Sequence, residues 1–306
     1  MWSYMVSALG VLGASEPSRG AASPCSSPSN QDSDVERASI RLRSRGWLDR
    51  ENELYLSVPK SATARCNVIF FPGDVQDFKA AMLDGPFADY SDYAYEAVAE
   101  LLSEKFGDTC NVWVVRPSRF KHGAYSSFDN FVTTNNYGAA TEYDTTAYAT
   151  KHLASLMQNT QATLRRQGVN VSTALSMHLL GFSKGGIVLN QLVTELVRYS
   201  FNKKRSNSGQ VRQGQLRLFV HVTPYQYDAS KRPWIKTEVN NFVNRMNLLG
   251  ADVQLIIYHE GDEASVSSHF HILQDFEASR SFKSKGEGAT NSTEHAVLPV
   301  RIQVYK

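Results

Sequence analysis

Residues 176–200 read SMHLLGFSKGGIVLNQLVTELVRYS, and the folding of this stretch decides the architecture of the rest. Its first part, SMHLLG (Ser176 to Gly181), is a short apolar run ending in glycine, the pattern of a strand. Its last part places Ile187, Gln191, Leu192, Glu195, Leu196 and Tyr199 at helical spacing. Between them Gly181, Ser183 and Gly185 form GxSxG. A sharp strand-to-helix turn that lifts a serine hydroxyl needs small residues two before and two after the serine, because the chain there passes close to its neighbours. The plainer reading is a glycine-rich turn whose serine caps the helix. The strand-to-helix setting favours a nucleophile elbow.

Working outward, CNVIFFPGD (Cys66 to Asp74) and NVWVV (Asn111 to Val115) are continuous apolar runs stopped by Pro72-Gly73 and Arg116-Pro117, as strands buried on both faces would be. Between them Tyr93 to Phe106 has a helical face of Tyr95, Val98, Ala99, Leu102 and Phe106, with Gly107 as its stop. A longer helix is expected from about Asp144 to Arg166. Downstream, LRLFVHV (Leu216 to Val222) and DVQLIIYH (Asp252 to His259) read as strands, and Ile235 to Leu249 as a helix between them. Alternating strands and helices predict an α/β fold, a mostly parallel sheet with helices on both faces.

The ends differ in composition. Residues 1–45 read as a disordered leader and linker, because Ser15 to Ser39 holds hardly any large apolar residue to offset its ordering entropy. The first apolar run, MWSYMVSALGVLGA, is too short to span a bilayer as a helix. The expected domain covers residues 46–280, and residues 281–306 form a polar tail in which VLPVRIQVY (Val297 to Tyr305) can pair as a terminal edge strand.

In 306 residues, 32 Lys and Arg against 30 Asp and Glu give a net charge of +2, which supplies no field for holding nucleic acid. Three cysteines, Cys25, Cys66 and Cys110, stand far apart without metal-ligand spacing, so neither a disulfide framework nor a zinc site is expected, and a reducing compartment fits. The segment GFSKGG lacks the GxxxxGK spacing of a phosphate loop. Asn170 and Asn291 lie in glycosylation sequons, which matter only in a secreted chain.

With Ser183 as nucleophile, the oxyanion would rest on the backbone N–H of Lys184 and of Gly73 or Asp74 in FFPGDVQ; Pro72 has none to donate. A serine needs a base, and His269, just after the DVQLIIYH strand, is the expected one, with His259 and His271 as alternatives. His178, inside a strand, reads as packed. Asp228 is the expected orienting carboxylate, with Glu260 and Asp262 as substitutes. No metal and no organic cofactor are implied. The partner of such a site is a small acyl substrate; a catalytically silent scaffold binding a protein or metabolite is the reading from another class.

At these residues the sequence resembles the chromosome 2 open reading frame 69 family. The resemblance rests on FFPGDVQ (Phe70 to Gln76), FDNFV (Phe128 to Val132), LLGFSKG followed by VLNQL (Leu179 to Leu192), HVTPYQ (His221 to Gln226) with Trp234-Ile235 beyond, and Ser268-His269-Phe270. It implies an α/β-hydrolase-like fold, a serine-hydrolase-like elbow at Ser183, a histidine at His269 and a mitochondrial location. The family carries a further strand and an Asp-Gly-Gly-His type loop between the elbow helix and VTPYQ, where this chain has only Asn202 to Gln215. A missing sheet strand is therefore expected, and the family's aspartate in that loop has no counterpart.

Overall fold

The computed structural model describes residues 36–60, 63–146, 148–204, 216–222, 234–248, 252–258, 270, 273–274 and 299–305. Its strands are β1 (Arg37–Arg45), β2 (Glu51–Pro59), β3 (Cys66–Phe71), β4 (Cys110–Val115), β5 (Arg119–Lys121), β6 (Tyr125–Ser127), β7 (Ser176–Phe182), β8 (Leu216–Val222), β9 (Asp252–Tyr258) and β10 (Pro299–Tyr305). Its helices are α1 (Lys79–Leu83), α2 (Tyr95–Phe106), α3 (Tyr148–Arg166), α4 (Gly186–Lys204) and α5 (Trp234–Leu248). The second helix begins two residues, and the third about four residues, later than the periodicity suggests.

The uninterrupted apolar runs form the middle of the main sheet, whose order is β1-β2-β4-β3-β7-β8-β10-β9. Every residue of β3 and β4 is buried, as a strand covered on both faces requires. The pairings β4–β3, β3–β7, β7–β8, β8–β10 and β10–β9 are parallel, while β1 and β2 run antiparallel at one edge. Alternate residues feed two cores. Val68, Phe70, Val112 and Leu180 meet Val98, Ala99 and Leu102 of α2 on one face. Ile69, Phe71, Trp113 and Leu179 meet Leu153 and Met157 of α3, Leu192 of α4 and Met246 of α5 on the other. The sheet is thus mixed and sandwiched between helices, an α/β architecture.

Four expectations are corrected. Residues 37–45 are not part of a leader and linker without structure: Arg37–Arg45 is β1, whose Ala38, Ile40 and Leu42 pack against the core while Arg41 and Arg43 are exposed. The C-terminal strand is not at the edge: β10 lies between β8 and β9, with Ile302 opposite both Val220 and Leu255. The expected missing strand leaves no break, since β7 pairs β8 directly and β10 fills the next place. Finally, Cys66 and Cys110 are joined in a disulfide. They are the first residues of two strands in parallel register and lie directly opposite each other, 4.8 Å apart at Cα.

Candidate active site

β7 arrives at Phe182 in extended conformation (φ −98°, ψ 129°), and the chain then turns at once: Ser183 has φ 52°. That left-handed conformation crowds the Cβ of an L-residue against its own carbonyl, and it persists only where the surroundings enforce it. A single 3-10 turn, Ser183–Gly185, leads directly into α4. A methyl group on Gly185 would sit 1.9 Å from the carbonyl oxygen of Phe71, and one on Gly181 would sit 2.9 Å from that of Gly185. The two glycines are therefore demanded by backbone meeting backbone. The Ser183 side chain is half-buried at the carboxyl end of the parallel strands.

The loop after β3 leans on this elbow. A Cβ on Gly73 would lie 2.8 Å from Ser183 Cβ, so the absence of a side chain there is what lets the loop reach the serine. The Gly73 N–H donates to Gln76 Oε1 at 2.8 Å, and Gln76 Nε2 donates to the Tyr93 carbonyl at 2.9 Å. Gly73 and Asp74 are further anchored to β6: Ser126 Oγ donates to the Gly73 carbonyl (2.6 Å) and the Ser126 N–H to Asp74 Oδ1 (2.8 Å). Lys184 then closes the cluster from the elbow side. Its Nζ lies 3.2 Å from Asp74 Oδ2, donates to the Tyr137 carbonyl at 2.7 Å and sits 5.5 Å from the Tyr125 ring centroid.

Behind the elbow, α4 and α3 are fastened by a buried carboxylate. Glu195 Oε1 accepts from the Ala149 N–H and Oε2 from the Thr150 N–H, at 2.8 and 2.9 Å, taking up donors that the first turn of α3 leaves without partners. Burial pushes the Glu195 carboxyl pKa up, opposed by these bonds and by one from Gln191. The polar positions Gln191 and Glu195 in an otherwise apolar helical repeat thus serve packing between helices.

The structure brings Ser183, Lys184, Gly73 and Asp74 together, as GxSxG and FFPGD imply. It modifies the part of Gly73, whose N–H already has an acceptor. His269 and Asp228 lie outside the described residues, as do His259, His271, Glu260 and Asp262. His178 lies within β7, its ring 4.9 Å from that of Phe106, in agreement with a packed residue. Sequence reasoning missed Gln76, Ser126, Tyr125 and Tyr137; only Gln76, inside the FPGDVQ motif, carried a signal. Among the described residues no group of three or more His, Cys, Asp or Glu side chains could hold a metal ion, and no helix is long and apolar enough to cross a membrane.

Fold and site define the class: an α/β protein that presents a serine on a strained strand-to-helix elbow. The family whose model the chain matches is C2orf69, over residues 43–174. The chain is 28% identical over 292 residues to the mitochondrial protein C2orf69 homolog of Danio rerio, covering 78% of this chain and 85% of that one. It is 27% identical over 286 residues to the mitochondrial protein C2orf69 of Homo sapiens, covering 69% and 74%. The resemblance read from the motifs and the mitochondrial location that it implied both agree with these relatives. Among solved structures, the chain is similar to carboxyl esterase 2 from Tuber melanosporum (13% identity, 90% of this chain and 78% of that one, TM-score 0.37). It is also similar to the acylaminoacyl peptidase of Pyrococcus horikoshii (13% identity, 89% and 38%, TM-score 0.37).

Proposed function

We propose that this chain is an α/β-hydrolase-like serine hydrolase cleaving an ester, thioester or related acyl bond. The observation that carries the reading is the left-handed Ser183 (φ 52°), forced outward between two glycines that have no room for a side chain. In this reading Ser183 Oγ bonds to the acyl carbon while His269 takes its proton and passes it to the departing alcohol or thiol; water then releases the acid by the same path in reverse. Asp228 orients the histidine. The oxyanion is held by the N–H groups of Lys184 and Asp74, with the Lys184–Asp74 ion pair fixing one donor relative to the other and Gly73 acting as the spacer. Support for His269 comes from its neighbour in sequence: the Phe270 ring stacks on Tyr93 (4.7 Å) and lies 5.6 Å from Phe182, the residue before Ser183.

The test is covalent labelling of the purified protein with a fluorophosphonate probe. Labelling is expected in the wild type and absent in Ser183→Ala, with thermal melting showing both folded. A folded wild type that takes no label would refute the hydrolase reading and leave a scaffold.

A further inference from the structure

Six large apolar side chains stand exposed among the described residues: Leu48, Leu83, Tyr125, Tyr137, Tyr148 and Leu248. Their placement is lopsided. Leu83 ends the short helix that follows β3, and Tyr125 belongs to the hairpin that follows β4. Tyr137 holds Lys184 beside the elbow, and Tyr148 opens α3, the helix whose far end leads back to the start of β7. Leu48 tips the β1–β2 hairpin; because Leu54 of β2 lies opposite Val115, residues before Leu54 project beyond the carboxyl end of β4. All five therefore lie at the carboxyl end of the parallel strands, the end that carries Ser183. Leu248 alone, at the C-terminus of α5 and just ahead of β9, lies at the other end.

Leu48 is the most telling of the five. It is 58% exposed and, with the following Asp49, adopts φ 56°, so two consecutive side-chain-bearing residues occupy the region that glycine or asparagine fills without crowding. Two such residues in succession are what a tight β-hairpin turn asks for, so the hairpin itself fixes the backbone there and leaves the leucine side chain facing outward. The hairpin is rigidly seated: Gly46 N–H donates to the Arg50 carbonyl at 2.7 Å, and the Trp47 N–H to His152 Nδ1 at 3.0 Å. Around it stand Arg43, Arg45 and Arg50, all exposed, and Lys151, whose Nζ lies 5.0 Å from the Trp47 ring; Arg50 lies over the Tyr148 ring at 5.5 Å. Against these four cations the corner offers three acids: Asp49, Glu51, which is 3.3 Å from Arg45, and Glu53, which lies opposite Arg43 and is already paired with Arg41 and Arg116.

An apolar tip flanked by aromatic rings and an excess of cationic side chains matches the interface of a bilayer, where leucine enters the acyl boundary, aromatic rings sit at headgroup depth and arginines meet lipid phosphates. We infer that this corner, with Leu48 at its tip, docks on a membrane surface rich in anionic phospholipid. The inference stands on the surface alone and does not depend on the chemistry of Ser183.

The experiment is flotation of the full chain with two kinds of vesicle, phosphatidylcholine alone and phosphatidylcholine with phosphatidylglycerol as the minor anionic component. Binding is expected to the anionic vesicles, to weaken as salt rises, and to fall roughly tenfold in Leu48→Asp and in Arg43→Glu/Arg50→Glu. Leu248→Asp, at the opposite end, should bind as the wild type does. All variants lie on exposed positions, and their melting temperatures show whether each is folded. Lack of flotation with anionic vesicles overturns the inference. So does a Leu48→Asp variant that floats like the wild type, which would assign binding to the apolar N-terminal residues, or a Leu248→Asp variant that loses as much.

Discussion

His152 should make this protein acid-labile in a way that one substitution can isolate. The ring is 1% exposed, beneath the β1–β2 hairpin, where Trp47 N–H donates to Nδ1 (3.0 Å) and Nε2 faces Asn52 Oδ1 (2.8 Å). With Nδ1 as acceptor, the neutral ring carries its proton on Nε2. A second proton would meet an N–H donor, in a buried place and near the Arg50 charge. Burial, reinforced by the Arg50 charge, lowers its pKa from 6.5 to about 4. A histidine depressed in the folded state costs nothing above pH 6.5. As pH falls through 6.5 the unfolded chain binds a proton that the folded one refuses, and stability drains away until about pH 4. Two and a half units at about 1.36 kcal/mol each come to roughly 3 kcal/mol, of which about 2.5 is lost by pH 4.5. Carboxylates titrate in the same range, so the measurement is a difference: urea unfolding of wild type and His152→Gln at pH 7 and pH 4.5. The variant starts less stable, having lost a fitted ring, and its deficit should shrink by about 2.5 kcal/mol on acidification. A deficit that stays constant would refute the buried, neutral imidazole.

Two further outcomes follow from contacts described above. Gly185→Ala puts a methyl group into the Phe71 carbonyl, where only backbone could yield, so a loss on the order of 3 kcal/mol or more is expected; melting that stays within a degree or two of wild type would mean the elbow is looser than drawn. Cys66→Ser with Cys110→Ser opens a crosslink spanning 44 residues of sequence and should cost about 4 kcal/mol in chain entropy. The same shift is expected on reduction of the wild type, and denaturation midpoints indifferent to reductant would argue against the bond.

What was legible in the sequence tracks the range over which each feature is determined. The middle strands could be read because burial on both faces writes itself into consecutive residues, as in Val68 to Phe71 and Val112 to Val115. The elbow was legible because its glycines are imposed by contacts a few residues away. β1 was missed because its period-two pattern of Ala38, Ile40 and Leu42 is interleaved with arginines and follows a serine-rich stretch, so composition outweighed alternation. The disulfide could not be read at all: it depends on strand register, which brings two first residues opposite each other, and a spacing of 44 residues belongs to no motif. The place of β10 is likewise decided by which strand edges remain open when it arrives, a property of the assembled sheet. The polar residues behind Ser183 were hidden for a related reason, since Ser126 and Tyr137 gain their roles only when two distant loops meet at Lys184 and Asp74.

The position of β10 has a consequence for how the molecule comes into being. A strand made after β8 and β9 but seated between them cannot be added to a finished edge. The two earlier strands must stay unjoined, each with a bare flank of amides and carbonyls, until residues 299–305 emerge, whether from a ribosome or through a translocation pore. Completion of the sheet therefore waits on residues 299–305, and a chain clipped just before them would lose the strand that joins β8 to β9.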